Sequence, residues 1–145
     1  MSYHSWHNYG YGIRVDDIIC NDVERLEQLL TMAPEFNAKL HGWLADCEIA
    51  EPVWNDYMEY DQDYRLGLAT ILKEVIEEAK GIRMTACDDC NSVAYLLYQP
   101  SYPWELIEQE RNLTESQVAE IIGRYVQILT SAPVEIDYQA EENGG

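Results

Sequence analysis

The fold of this 145-residue chain is decided by the stretch IRMTACDDCNSVAYLLY, residues 82–98. Residues 82–87 and 92–98 have the composition of strands, and the Asp and Asn residues between them suit the turn of a hairpin. The second run, residues 93–98, is apolar on both faces, which is typical of a strand in the middle of a sheet. The sequence therefore predicts an antiparallel hairpin whose second strand lies inside the sheet.

Strand patterns occur again towards both ends of the chain. Apolar residues alternate with Gly, Arg and Asp from Tyr9 to Asp16, as they do in a half-buried strand. Residues 134–139 alternate in the same way and predict a last, amphipathic strand. The flanking residues 1–8 and 140–145 are expected to be frayed.

Apolar residues at helical spacing predict four helices. The first lies between Asp22 and Pro34, and the second begins at Pro34. The third runs from about residue 63 to Lys80 and ends at Gly81, which suits the end of a helix. The last covers residues 114–130 and opens with the capping-box pattern Thr-Glu-Ser-Gln.

This order of strands and helices indicates an α+β fold. We expect a single acidic domain, residues 1–145, with a mostly antiparallel sheet of about four strands and about four helices packed on it. The first residues do not have the pattern of a signal peptide, and no apolar run is long enough to span a bilayer. The sequence therefore predicts a cytoplasmic protein whose four cysteines are reduced.

Four side chains would satisfy a tetrahedral zinc ion if the fold brought them together. Cys87 and Cys90 form a C-x-x-C at the tip of the predicted hairpin, and His4 and His7 form an H-x-x-H near the first strand. A single C-x-x-C with two Asp residues inside it is also consistent with reduced structural cysteines. We predict no bound metal or other cofactor, and keep His4, His7, Cys87 and Cys90 as zinc candidates.

Catalytic motifs are missing from the sequence. It contains no Gly-x-Ser-x-Gly nucleophile motif, and Tyr9-Gly10-Tyr11-Gly12 lacks the third glycine and the following helix of a phosphate-binding loop. Because the chain has 27 Asp and Glu residues, some carboxylates lie close together in any fold, and their spacing says little about acid–base catalysis. We predict that the protein is not an enzyme.

The net charge restricts the kind of partner. Against the 27 acidic residues stand 9 Lys and Arg residues, which gives a formal charge of -18. Direct binding to nucleic acid or to an anionic membrane needs basic patches, so this composition argues against both.

Residues 44–64, which we call the acid-aromatic segment, contain no Lys or Arg but alternate carboxylates with Trp and Tyr. One interpretation is a charged loop held to the core by its aromatic side chains. The other is a binding surface, in which aromatic residues anchor a partner and carboxylates select a basic one. The second interpretation gives these candidate partner-binding residues: Asp46, Glu48, Glu51, Trp54, Asp56, Tyr57, Glu59, Tyr60, Asp61 and Asp63.

A small, folded, strongly acidic chain rich in Tyr and Trp resembles the phage and mobile-element proteins that block host nucleases, which include anti-CRISPR inhibitors and DNA-mimic anti-restriction proteins. The resemblance covers size, charge and aromatic content, and no local motif. It implies stoichiometric inhibition, in which an acidic surface occupies the nucleic-acid-binding site of a CRISPR effector or restriction nuclease in the host cell.

Two other classes of function stay open from the sequence. One is a protein–protein interaction domain or homodimer in which the charge only maintains solubility, with association through the Tyr9/Tyr11 strand or through residues 95–98. The other is a small zinc-binding protein.

Overall fold

A computed structural model describes residues 6–60, 66–88, 93–98 and 113–143. Within these ranges it contains four strands and five α-helices. The strands are β1 (Trp6–Arg14), β2 (Thr85–Asp88), β3 (Ala94–Tyr98) and β4 (Asp137–Asn143). The helices are α1 (Val23–Leu30), α2 (Pro34–Asp46), α3 (Trp54–Met58), α4 (Leu68–Lys80) and α5 (Glu115–Leu129), and a 3-10 turn (Val15–Asp17) follows β1. The predicted α+β class and the antiparallel sheet are confirmed.

The strands form one sheet in the order β2-β3-β1-β4, and each neighbouring pair is antiparallel. Strand β3 lies inside the sheet, as its two apolar faces predict. Strand β1 is also internal, because Tyr11 pairs with Tyr98 on one side and with Tyr138 on the other. A second chain therefore cannot add edge to edge along either strand, because both already have a neighbour on each side.

Strand β4 differs from the strand predicted at residues 134–139. It begins at Asp137 and continues to Asn143, so that Gly12 pairs with Asp137 and Trp6 pairs with Asn143. Residues 6–8 and 140–143, which the sequence led us to expect as frayed, are therefore paired in the sheet. The physical reason is that strands pair through backbone N–H and C=O groups, which acidic residues supply as well as apolar ones.

Helix α4 lies at the centre of the helical layers. It packs against β2 and β3 on one side and against α2 on another, while α5 packs against β1 and α1 packs on α5. Helices α1, α2 and α3 therefore make their main contacts with other helices, which differs from the prediction that the helices pack on the sheet. Because strands and helices cover α4 on several sides, much of its surface is buried. Its buried residues are Leu68, Ala69, Thr70, Ile71, Leu72, Val75 and Ile76.

Two helix ends follow the sequence prediction closely. The Thr114 hydroxyl accepts a hydrogen bond from the Gln117 backbone N–H at 3.2 Å, and the Gln117 side chain accepts one from the Thr114 N–H at 2.9 Å. This is the predicted capping box of α5. Gly81 ends α4 in the left-handed conformation with φ of 70°, which glycine adopts without strain.

The N-terminus of α2 is capped from another helix. Ala33, which precedes it, has no side-chain acceptor, and the Glu78 carboxylate of α4 accepts hydrogen bonds from the backbone N–H groups of Glu35 (3.0 Å) and Phe36 (2.8 Å). A carboxylate at this position binds otherwise unpaired N–H groups and also interacts favourably with the helix dipole. Glu78 therefore fixes α2 to α4, although the helical pattern alone suggests a solvent-facing residue.

Gly12 marks a close approach between the two internal strands. A Cβ atom at this position would lie 2.0 Å from the carbonyl oxygen of Leu96 and 2.9 Å from the Cα of Leu97. Both neighbours are backbone atoms of β3, so neither moves out of the way as a flexible side chain would. The glycine is thus required by the spacing of the sheet.

We expect Gly12→Ala to lower the free energy of unfolding by at least about 2 kcal/mol, since the added methyl group overpacks the sheet. The matched control is Gly42→Ala in α2, where a Cβ would meet nothing within 4 Å. This control should raise stability by about 0.5–1 kcal/mol, because alanine favours helix more than glycine does. Urea denaturation of the two variants measures both effects, and equal stabilities would contradict the close approach at Gly12.

Candidate functional site

The acid-aromatic segment starts with an ordered turn at the end of α2. The backbone N–H of Ile49 donates to the carbonyl of Leu44 at 3.1 Å, and that of Glu48 donates to Ala45 at 2.9 Å, which is the pattern of a Schellman motif. Glu48 occupies the left-handed position of this motif with φ of 60°. That position usually holds glycine, because a Cβ atom destabilises it.

Helix α3 is also fixed locally. The Asp56 carboxylate accepts a hydrogen bond from the backbone N–H of Val53 at 2.8 Å, and the Asp56 N–H donates to the Val53 carbonyl at 2.9 Å. Asp56 therefore stabilises the start of α3, and its carboxylate is partly committed to the fold.

The described aromatic residues of the segment, Trp54, Tyr57 and Tyr60, pack against the core. Tyr57 is only 1% exposed. The Tyr60 ring makes edge-to-face contacts with Phe36 and Trp43, with 5.5 Å between ring centroids in both pairs, and Trp54 packs partly buried against the core. This geometry agrees with the interpretation in which aromatic side chains hold the segment to the core. The prediction that Tyr57 anchors a partner at the surface is wrong, because its side chain is buried.

A cluster of three polar side chains connects the first three helices. The Tyr57 hydroxyl of α3 donates a hydrogen bond to the Glu27 carboxylate of α1. Nε2 of His41, in α2, lies 3.0 and 3.1 Å from the two oxygens of the same carboxylate and donates to it. This cluster leaves no signal in the sequence, because His41 and Tyr57 are 14 and 30 residues from Glu27 and the three share no periodic pattern.

The environment of Tyr57 keeps its phenol protonated. Burial raises the pKa of Tyr57 well above its ordinary value of 10.0, and the hydrogen bond to Glu27 and the charges of Glu27 and Asp56 raise the pKa further. The hydroxyl therefore acts as a hydrogen-bond donor rather than as a base. The arrangement orients the acid-aromatic segment, because it joins α3 to α1 and α2.

Four carboxylates of the segment are exposed to solvent: Asp46, Glu48, Glu51 and Glu59. We call them the exposed carboxylates. Within the described ranges none of the four forms an ion pair, whereas carboxylates such as Glu77 and Glu120 pair with a neighbouring Lys or Arg. Asp61 and Asp63, the remaining predicted partner-binding residues, lie outside the described residues.

The two zinc candidates that the structure describes, His7 and Cys87, are not brought together. Cys87 is level with Arg14 in the sheet, because both pair with Tyr95 in β3. His7 lies seven residues further along β1, or about 23 Å at roughly 3.3 Å per residue, so these two residues do not share a metal. His4 and Cys90 lie outside the described residues, and no group of three or more His, Cys, Asp or Glu side chains suited to a metal occurs in the part that is described.

We expect Tyr57→Phe to lower the free energy of unfolding at pH 7 by about 1–2 kcal/mol, since it removes a hydrogen bond to a charged group. Above pH 10 the unfolded state of the wild type loses the Tyr57 proton while the folded state keeps it, so stability falls as the pH rises. The variant should lose stability less steeply. Part of the decline should persist, because burial also raises the pKa of Tyr125.

Urea denaturation between pH 8 and pH 11 measures this difference, with circular dichroism at pH 7 to confirm that the variant is folded. Parallel declines for the two proteins would contradict the raised pKa of Tyr57.

Comparisons with known proteins leave the chain without a family assignment. No protein-family model matches it, and no curated protein or solved structure matches it closely enough to indicate relatedness. In addition, none of the helices in residues 6–60, 66–88, 93–98 and 113–143 has the length and apolar composition needed to cross a membrane.

Proposed function

We propose that this protein is a stoichiometric, non-enzymatic inhibitor that acts in the bacterial cytoplasm. The exposed carboxylates would bind the basic nucleic-acid site of a host defence nuclease, such as a CRISPR effector or a restriction enzyme. The support comes from geometry and charge. The aromatic side chains and the Tyr57–Glu27 hydrogen bond fix the shape of the segment, while four carboxylates without ion-pair partners in the described structure project from it.

The observation that carries most weight is the conformation of Glu48. A residue other than glycine in the left-handed region costs about 1–2 kcal/mol. The chain has a charged residue at this position, exposed and without an ion pair to any described residue. A conformation that costs free energy, at a side chain that gains no contact within its own fold, is typical of positions used for function. Here the side chain offers only its charge, which supports binding to a basic surface.

The net charge supports the same function at longer range. A formal charge of -18 attracts a basic partner over distances comparable to the screening length, which is about 8 Å at physiological ionic strength. Such attraction mainly raises the association rate and selects the partner by charge. Binding of this kind weakens as salt is added.

A second function is favoured by a separate observation. Ile19 is 89% exposed and Val53 is 60% exposed, and covering such side chains with a partner is favourable because it removes apolar surface from water. They support the alternative of an interaction domain without nucleic-acid mimicry. The two functions differ in their response to salt, because apolar association changes little with ionic strength.

The test is affinity capture from a nuclease-treated bacterial lysate at low and at raised salt, followed by mass spectrometry. We expect the wild type to retain a nucleic-acid-binding enzyme that is lost as salt rises. The variant Glu48→Gln/Glu51→Gln/Glu59→Gln should bind that enzyme about tenfold more weakly, since each exposed ion pair contributes roughly 0.2–1 kcal/mol. DNA or guide RNA added to the purified enzyme should compete with the wild type for binding.

The matched control is Glu24→Gln/Glu120→Gln/Glu135→Gln, which removes the same number of exposed charges elsewhere on the protein. It should keep near wild-type affinity. If both triple variants weaken binding equally, only the overall charge matters and the exposed carboxylates are not the site. Capture that does not depend on salt, or recovery of this protein alone, would favour the interaction domain.

Two substitutions of Glu48 separate the cost of its conformation from its function. Glu48→Gly should raise the free energy of unfolding by about 1 kcal/mol, because glycine adopts the left-handed region without strain. Glu48→Gln keeps the strain and should leave stability nearly unchanged. Both remove the charge, so both should weaken binding of the captured enzyme to the same extent. Wild-type affinity in Glu48→Gly would exclude the carboxylate from the interface.

A further inference from the structure

A surface cleft of about 480 Å³ lies on the side of the protein formed by the 3-10 turn, α3 and the start of α4. Its apolar lining includes Trp54, Met58, Leu66 and Cys20. This volume is within the range of about 300–1,000 Å³ that is usual for ligand sites. Trp54 belongs to the acid-aromatic segment, so the cleft adjoins the exposed carboxylates along the chain.

Two exposed apolar residues are neighbours of lining residues in the sequence. Ile19, which is 89% exposed, lies between the lining residues Ile18 and Cys20, and Val53, which is 60% exposed, directly precedes Trp54. A small molecule in the cleft would leave both side chains in water. A protein segment that inserts one side chain would also cover them, which is how anchor residues and their surroundings are arranged in protein interfaces.

The charge of the cleft selects the chemistry of such a segment. Asp16 and Asp88 line it together with the apolar residues, and none of the described lining residues is a Lys or Arg. Neither carboxylate has an ion-pair partner within the described ranges. A basic side chain next to the inserted apolar one would therefore find an acceptor. A second copy of this chain would bring another charge of -18, which disfavours it as the occupant.

We propose that this cleft binds a short segment of the partner protein in which an apolar side chain is flanked by Lys or Arg. The apolar side chain packs against Trp54 and Met58, and the basic side chains bind Asp16 and Asp88. The inference deepens the proposed function and rests on it, since it names the chemistry by which a basic partner is anchored. Long-range attraction by the exposed carboxylates accelerates binding, and the cleft slows dissociation.

The test uses the full-length protein and synthetic peptides, observed by nuclear magnetic resonance. The probe is acetyl-Leu-Lys-Leu-Lys-Leu-amide. It should shift the resonances of Trp54, Met58 and Cys20 at millimolar concentration. The control peptide acetyl-Gly-Lys-Gly-Lys-Gly-amide has the same charge without the anchor, and acetyl-Leu-Glu-Leu-Glu-Leu-amide has the anchor with the opposite charge. Both should bind at least fivefold more weakly.

Variants at exposed positions test the cleft without disturbing the core. Ile19→Ser should weaken binding of the Leu-Lys peptide at least threefold. The matched control is Met32→Ser, since Met32 is also apolar and exposed (49%) but does not line the cleft. This control should bind the peptide as the wild type does. Asp16→Asn/Asp88→Asn should weaken binding at least fivefold and reduce its dependence on salt. Equal binding to the double variant and the wild type would overturn the charge selection.

Three outcomes would overturn the proposal that the cleft binds a segment of the partner. The first is equal binding of the Gly-Lys and Leu-Lys peptides, and the second is a set of peptide-induced shifts confined to other surfaces. The third is a dimer in sedimentation analysis that Ile19→Ser converts to a monomer, since a second copy would then occupy the cleft. The peptide experiments do not involve a nuclease, so their failure would reject the cleft and leave the proposed function standing. The converse result is peptide binding in the cleft combined with capture from the lysate that depends neither on salt nor on the exposed carboxylates. That result would reject the proposed function and leave the cleft standing.

Discussion

Repulsion among carboxylates is the constraint under which this fold is assembled. With 27 acidic and 9 basic residues, self-repulsion opposes any compact state, and burial of the apolar core must offset it. Some of these carboxylates also stabilise the fold. Carboxylates of Asp22, Asp56, Glu77 and Glu78 accept hydrogen bonds from backbone N–H groups at helix starts or in the segment before β2. Some acidic residues therefore help to hold the chain together, whereas the exposed carboxylates form no ion pair within the described ranges.

The acid-aromatic segment shows this division within a few residues. Tyr57 and Tyr60 pack inwards, and Asp56 stabilises the start of α3, whereas Glu48, Glu51 and Glu59 remain in solvent. The same segment is thus pinned to the core and charged on its outside, so the two interpretations of its sequence describe different side chains of one structure. Rigid display matters for binding, because a surface that is already ordered loses less conformational entropy when a partner binds.

The sequence predicted those features that depend on neighbouring residues. The capping box at Thr114, the left-handed Gly81 and the apolar stripe of α1 are local, and each appears where the pattern places it. Features that depend on distant residues were missed. Glu78 caps a helix that begins 44 residues earlier in the chain, and Tyr57 is buried next to a carboxylate 30 residues away. The second half of β4 was missed for another reason, since backbone pairing leaves no hydrophobic pattern in Glu141 and Glu142.

The position of β1 in the sheet also has a consequence for biosynthesis. Tyr11 pairs with Tyr98 and Tyr138, so the first strand to leave the ribosome must wait for partners that are made much later. The neighbouring helices α1 and α2 can contact each other early, but pairings between such distant residues form slowly and leave strand edges open to other nascent chains. Strong negative charge keeps like chains apart during that interval. The acidic composition would then protect the protein before it folds, apart from any partner it binds afterwards.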